Sequence, residues 1–233
     1  MEKTVVLTRE PADNAELASR LRARGVNVVE LPCVRAEPLA DTSALAAELA
    51  ALGEGDWLVV TSRHGADAVA RCAVPRSLIA AIGDATAARL RAHGWPVAFQ
   101  PSEASGAALA RELPRPTGVV LLARSDRALP DLPAQLRERG ATVREVVAYR
   151  TVVGASGDVA HLRALLDANE PVTVVFHSPS AVEGMVGAID ASLVARAAIQ
   201  VVGQTTLRAA RAALGPAADI SLIDEEVAHV THR

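Results

Sequence analysis

Residues 119–151, VVLLARSDRALPDLPAQLRERGATVREVVAYRT, read as one strand, one helix and one strand. The run 119–122 is apolar and opens on β-branched valines. Leu132 and Leu136 keep helical spacing, and Gly140 stops the helix before a second apolar run at 143–148. Arg124-Ser125-Asp126-Arg127 breaks the pattern between strand and helix. Parallel α/β sheets hold ligands beyond the carboxyl ends of their strands, which makes this loop a site candidate. Serine and aspartate are also favoured helix caps, so one such loop alone carries no functional claim.

The start of the chain, VVLTREPADNAELASRLRARGVNVVELP, repeats the layout: Arg124 and Arg9, Leu136 and Leu21, and Gly140 and Gly25 are each 115 positions apart. A second pair is WLVVTSRHGADAV from Trp57 and VTVVFHSPSAVEGM from Val172, in which Ser62 and Ser178 are 116 apart. A third is AAIGDATAARLRAHG and QVVGQTTLRAARAALG, in which Gly83 and Gly203, and Thr86 and Thr206, are 120 apart. Three pairs in register mark an internal duplication.

The 233 residues can bury one large core or two small ones. Half of them are apolar but only 2% are aromatic, so the core is built from Ala, Val and Leu, as suits close-packed α/β layers. A net charge of −3, with no basic run and few rings to stack bases, argues against nucleic-acid binding. Cys33 and Cys72 stand in unrelated segments without metal-ligand spacing, and MEKTVVLT lacks the regions of a signal peptide. No apolar run approaches the ~20 residues that span a bilayer. The expectation is a cytoplasmic protein with two inert thiols and no membrane partner.

Taken in order, the pattern predicts strands at 4–8, 27–31, 57–61, 78–82, 97–99, the two in 119–148, 172–176, 199–202 and 219–222. Helices are predicted at 11–24, 42–51, 64–72, 84–93, 104–113, within 119–148, and at 158–168, 179–189 and 204–214. LPCVRAEPLAD, bracketed by Pro32 and Pro38, and the Gly/Ser stretch after Tyr149 interrupt the two halves at corresponding places. The expected architecture is therefore α/β, with a discontinuous first domain (1–35 plus 170–233) and an inserted second domain (36–169). Crossings fall near 32–41 and 150–157 and permit hinge motion. Each domain is a doubly wound parallel sheet, and a cleft separates the two.

The strand-end loops are Thr8-Arg9-Glu10, Thr61-Ser62-Arg63-His64-Gly65, Gly83-Asp84-Ala85-Thr86, Arg124-Ser125-Asp126-Arg127, His177-Ser178-Pro179-Ser180 and Gly203-Gln204-Thr205-Thr206. Nearly all open a helix, where unpaired N–H groups, a positive dipole end and neighbouring hydroxyls suit carboxylates or phosphates. There is no GxGxxG, no Walker sequence and no GxSxG elbow, and the six histidines form no ligand pattern with the cysteines. The chain offers donors, not a nucleophile or a metal site. Tyr149, its only tyrosine, ends a strand where a phenol could reach a cleft or simply pack its rim.

VVLTREP, DWLVVTSRHGADAV, AAIGDATA, LLARSDRALPDLPAQLRERGATVREVVAYRT, VVFHSPSAVEGM and VVGQTTLRAA together resemble the uroporphyrinogen-III synthase family over almost the whole chain. The resemblance implies two flavodoxin-like domains, a deep cleft, no cofactor, and closure of hydroxymethylbilane to uroporphyrinogen III with loss of water and inversion of ring D. That substrate carries eight carboxylates, which fits the donor-rich loops. The family's motifs fall on Thr61 and Ser62, on Gly83 to Thr86, on Ser178 to Ser180 and on Gly203 to Thr206. Its Tyr-x-Thr tyrosine, the implied acid for departure of the hydroxyl, falls on Tyr149. Arg63-His64 stands where the family often has Ala-Asn, His177 where it usually has Thr or Ser, and the ending DEEVAHVTHR is short for the family.

Tyr149 is thus the expected catalytic residue. Arg9, Thr61, Ser62, Gly83, Thr86, Arg124, Ser125, Asp126, Ser178, Ser180, Gly203, Thr205 and Thr206 are the expected substrate contacts in a monomer. The alternative is a sensor or carrier that closes on a polyanionic small molecule without chemistry.

Overall fold

The computed structural model describes residues 3–72, 76–115 and 117–223. The chain begins with β1 (Thr4–Leu7), α1 (Pro11–Arg22), β2 (Asn27–Glu30), β3 (Val34–Pro38), α2 (Ser43–Ala50), β4 (Trp57–Val60) and α3 (Arg63–Val69). It continues through β5 (Leu78–Ala81), α4 (Asp84–Ala92), α5 (Gly106–Glu112), β6 (Val119–Ser125), α6 (Asp131–Glu138) and β7 (Thr142–Val153). Last come α7 (Val159–Asp167), β8 (Val172–Phe176), α8 (Pro179–Val186), α9 (Ala191–Val194), β9 (Ala198–Val202), α10 (Gln204–Leu214) and β10 (Ile220–Ile223).

The strands divide into two five-stranded sheets, ordered β10-β9-β8-β1-β2 and β3-β7-β6-β4-β5. Every pair in the first is parallel, as are the β7-β6, β6-β4 and β4-β5 pairs of the second. The duplication is visible in the neighbours: β1 lies between β2 and β8 as β6 lies between β7 and β4. Successive strand residues bury opposite faces, which is why the strands are continuously apolar. Val6, Val174 and Phe176 join one core while Val5, Leu7 and Val175 join another. In the second sheet Leu58 and Val60 face one core and Trp57 and Val59 the other. Gly25 and Gly140, the duplicated helix stops, have φ of +73° and +84°, the left-handed turn that glycine adopts most readily.

Two compact units result, Met1–Arg35 with Val152–Arg233, and Ala36–Thr151. The boundary lies before α7, not at 169/170, because Leu162 and Leu166 of that helix bury into the core containing Phe176 and Met185. Both passages between units run within strands, β3 and β7, where the sequence suggests irregular linkers. The polar VRAEP escapes an apolar-run search because it forms an edge strand. The predicted strand 97–99 shrinks to one bridge, Ala80 to Phe99, between Pro96 and Pro101, which lack an N–H for a ladder. The short ending at 224–233, with His229 and His232, lies outside the described residues.

Asp56 ties the starts of two central strands together. Its carboxylate accepts from the N–H of Gly53 at 2.8 Å and of Val119 at 2.6 Å. These two bonds, Gly53's first, hold its pKa below the usual carboxylate value. Cys33 is fully buried, and burial pushes its thiol up to about 12, so it stays protonated and unreactive.

Candidate functional site

In the second unit, α3 after β4 packs into one core through Ala66 and Val69, whereas α6 after β6 packs into the opposite one through Leu132 and Leu136. Helices that leave neighbouring parallel strands on opposite faces open a crevice at their carboxyl ends. Here those ends carry Thr61-Ser62 and Ser125-Asp126. Ser62 caps α3 by accepting from the N–H of Gly65 at 2.9 Å, and its own hydroxyl donates to the phenol oxygen of Tyr149 at 3.0 Å. Gly65 makes room for this approach, since a Cβ there would stand 3.2 Å from Val60 and 3.3 Å from the Ser62 oxygen. The His64 ring lies 5.7 Å from that of Tyr149.

A bulge explains why Tyr149 reaches Ser62. Arg124 registers with Val147 but Ser125 registers with Tyr149, leaving Ala148 without a partner. Strict alternation along β7 would put Val146 and Ala148 on one face and Tyr149 on the other. Instead all three pack against the core that holds α3. The loop after β6 holds the shifted register. The Asp126 N–H donates to the Tyr149 carbonyl at 3.3 Å, and an Asp126 carboxylate oxygen accepts the Thr151 N–H at 2.8 Å. Ser125 Oγ donates to the same carboxylate at 3.1 Å and lies 2.5 Å from Thr151 Oγ1. Bonding to Thr151 foremost keeps the Asp126 pKa low and its carboxylate charged.

Other expected contacts have different duties. Arg124 is 7% exposed; its guanidinium donates to the Leu129 carbonyl at 2.8 Å and pairs with Glu145 at 3.5 Å. Burial, partly offset by Glu145, lowers its pKa. Thr86 and Thr206, 4% and 2% exposed, sit in the first turns of α4 and α10. These three are the buried side chains among the expected substrate contacts. Gly83 and Gly203 head the same two helices for separate reasons. A Cβ on Gly83 would meet that of Ala104 at 2.8 Å, while Gly203 has φ +79°.

The first unit repeats the crevice between β1 and β8, with α1 and α8 on opposite faces through Leu21 and Met185. Thr8 is fully buried and donates to the Val175 carbonyl at 2.6 Å, while Asn14 Nδ2 holds the Arg9 carbonyl at 2.8 Å. Ser178 caps α8, accepting from the Ala181 N–H at 3.2 Å, with Ser180 half-buried in the first turn. Gly203 and Thr205 are exposed at the head of α10. His177 ends the β8 run. Burial, aided by the charge of Arg9, lowers its pKa to about 4, so the imidazole is neutral at pH 7. The burial of His177, the contact of His64 with Tyr149 and the part played by Thr151 are not visible in the loop composition, although the Tyr-x-Thr spacing contains Thr151.

Residues 15–218 match the family model described as Uroporphyrinogen-III synthase HemD. The chain belongs to the uroporphyrinogen-III synthase family. It is 32% identical over 220 residues to the chloroplastic uroporphyrinogen-III synthase of Oryza sativa subsp. japonica, covering 89% of this chain and 72% of that protein. It is 30% identical over 160 residues to the uroporphyrinogen-III synthase of Synechococcus elongatus, covering 64% of this chain and 61% of that one. Among solved structures, a mutant uroporphyrinogen III synthase from the extremely thermophilic bacterium Thermus thermophilus superposes with a TM-score of 0.64 at 20% identity, over 96% of this chain and 92% of that one. The Helicobacter pylori protein gives 0.53 at 17%, over 88% and 86%. At these identities the two structures establish a shared fold.

Proposed function

We propose that this family member is a cyclising hydro-lyase of tetrapyrrole biosynthesis that closes hydroxymethylbilane to uroporphyrinogen III, with loss of water and inversion of ring D. The observation that carries the chemistry is the hydrogen bond from Ser62 to Tyr149 at the strand ends of the second unit. Expelling hydroxide from the bilane's terminal carbon is difficult at neutral pH, and protonating it as it leaves makes water the leaving group. Tyr149 supplies that proton. A phenol oxygen that accepts a hydrogen bond carries developing negative charge more easily, so Ser62 makes Tyr149 a better acid. The pyrrole nitrogens push electrons toward the departing group, and the resulting azafulvene recloses through the substituted carbon of ring D.

Binding falls mainly to neutral donors. Thr61, Ser178, Ser180 and Thr205 contribute hydroxyls, Gly83 and Gly203 expose backbone at helix starts, and Arg9 adds charge toward the substrate's eight carboxylates. No described helix is long and apolar enough to cross a membrane. Within this reading the enzyme acts as a monomer in the cytoplasm, where its free cysteines stay reduced, and the chemistry calls for no cofactor. The test is to supply freshly made hydroxymethylbilane and resolve the products. Enzyme-dependent formation of the inverted isomer is expected; only the non-inverted isomer, formed at the uncatalysed rate, would overturn the reading.

A further inference from the structure

We infer that Asp126 is a positioning residue for the cyclisation, latching the bulge in β7 that aims Tyr149, and that it does not touch the substrate. The inference rests on the proposed role of Tyr149 as the acid. Composition alone places Asp126 among the binding loops, yet a carboxylate facing a substrate with eight carboxylates would repel it. The geometry gives that charge another partner. One carboxylate oxygen accepts both the Thr151 N–H, at 2.8 Å, and the Ser125 hydroxyl, at 3.1 Å, while the Asp126 N–H reaches back to the Tyr149 carbonyl at 3.3 Å. These bonds hold the strand at the Tyr149 carbonyl and again two residues later.

The latch matters because the register shift between Arg124 and Ser125 is what rotates Tyr149 onto the Ser62 face. A β7 strand without the shift would pair Ser125 with Ala148 and turn the phenol to the opposite side. Parallel ladders are readily continued in regular register, so a bulge persists only where neighbouring groups fix it. Asp126 bonds to the strand both at Tyr149 and beyond it. Its action is on the direction of an acid, and misplacement of a reacting group by about 1 Å can cost on the order of a hundredfold in rate.

The test is a double-mutant cycle on kcat with Asp126→Ala and Tyr149→Phe, together with Asp126→Asn, which keeps an oxygen for the Thr151 N–H. Asp126→Ala is expected to lower kcat by about ten- to a hundredfold with KM unchanged or lower. Asp126→Asn should recover most of the loss, and Asp126→Ala should add nothing in the Tyr149→Phe background. Amide exchange at Thr151 provides a readout independent of turnover: fast in the alanine variant, slow in wild type and the asparagine variant. Additive losses, a rise in KM, or unchanged Thr151 exchange in the alanine variant would overturn the inference while leaving the acid role of Tyr149 intact. Full kcat for Tyr149→Phe alone would remove that acid role, and with it the catalytic half of the inference.

Discussion

Ser62 has two separable functions, and a short substitution series tells them apart. Its oxygen accepts the Gly65 N–H as the cap of α3 and its hydrogen goes to Tyr149. Ser62→Ala removes both: about 0.5–2 kcal/mol of stability from the cap, and one neutral hydrogen bond to the acid worth about 0.5–1.5 kcal/mol. The second figure corresponds to a fall in kcat of roughly two- to tenfold. Ser62→Gly costs only a few tenths of a kcal/mol as a cap, so it should keep stability and show the same fall in kcat. Ser62→Asp also caps well but has no hydrogen for Tyr149 and brings negative charge toward an anionic substrate. It should stay folded, lose more kcat than glycine, and raise KM. The assays are urea denaturation followed by circular dichroism and steady-state kinetics on hydroxymethylbilane. A loss beyond a thousandfold in folded Ser62→Gly would refute the view that this hydroxyl only assists, and equal kcat in wild type and Ser62→Gly would refute its link to Tyr149.

Two further predictions concern stability. Gly184 in α8 passes the Cys33 backbone so closely that a Cβ would lie 2.2 Å from the Cys33 carbonyl oxygen, and Gly184→Ala should lower the denaturant midpoint by the equivalent of about 1–3 kcal/mol; an unchanged midpoint would contradict the packing. Asp56 has a folded pKa below its unfolded value near 3.9, so its contribution is present above the unfolded pKa and is lost as pH falls through the folded one. Asp56→Asn should flatten the wild-type loss of stability on acidification below about pH 4, and an unaltered pH profile would show that the bonds to Gly53 and Val119 contribute nothing.

The duplicated layout was legible because both copies keep apolar strands, capped helices and glycine stops at nearly constant offsets, and the same spacing brought out Ser62, whereas Tyr149 stood out as the only tyrosine, at a strand end and in a Tyr-x-Thr motif. What stayed hidden depends on contacts between segments distant in sequence. VRAEP is polar because β3 is an edge, and the run AYRTVV continues β7 into what composition presents as a Gly/Ser linker. The bulge that turns Tyr149 has no local signature, since Ala148 and Tyr149 are ordinary strand residues until Ser125 and Asp126 grip the strand beside them. Arg124, Thr86 and Thr206 have the chemistry of ligand donors, and their burial depends on packing that loop composition does not display.

Tyr149→Phe is the measurement closest to the heart of the account, because it removes one oxygen and keeps the ring beside His64. General acid catalysis is typically worth ~10²–10⁴-fold, so kcat at saturating hydroxymethylbilane should fall within that range. The enzyme-dependent product should remain the inverted isomer, since the isomer follows from how the chain holds ring D and not from the proton donor. Retention of full kcat by the folded variant would contradict the account and make Tyr149 a packing residue.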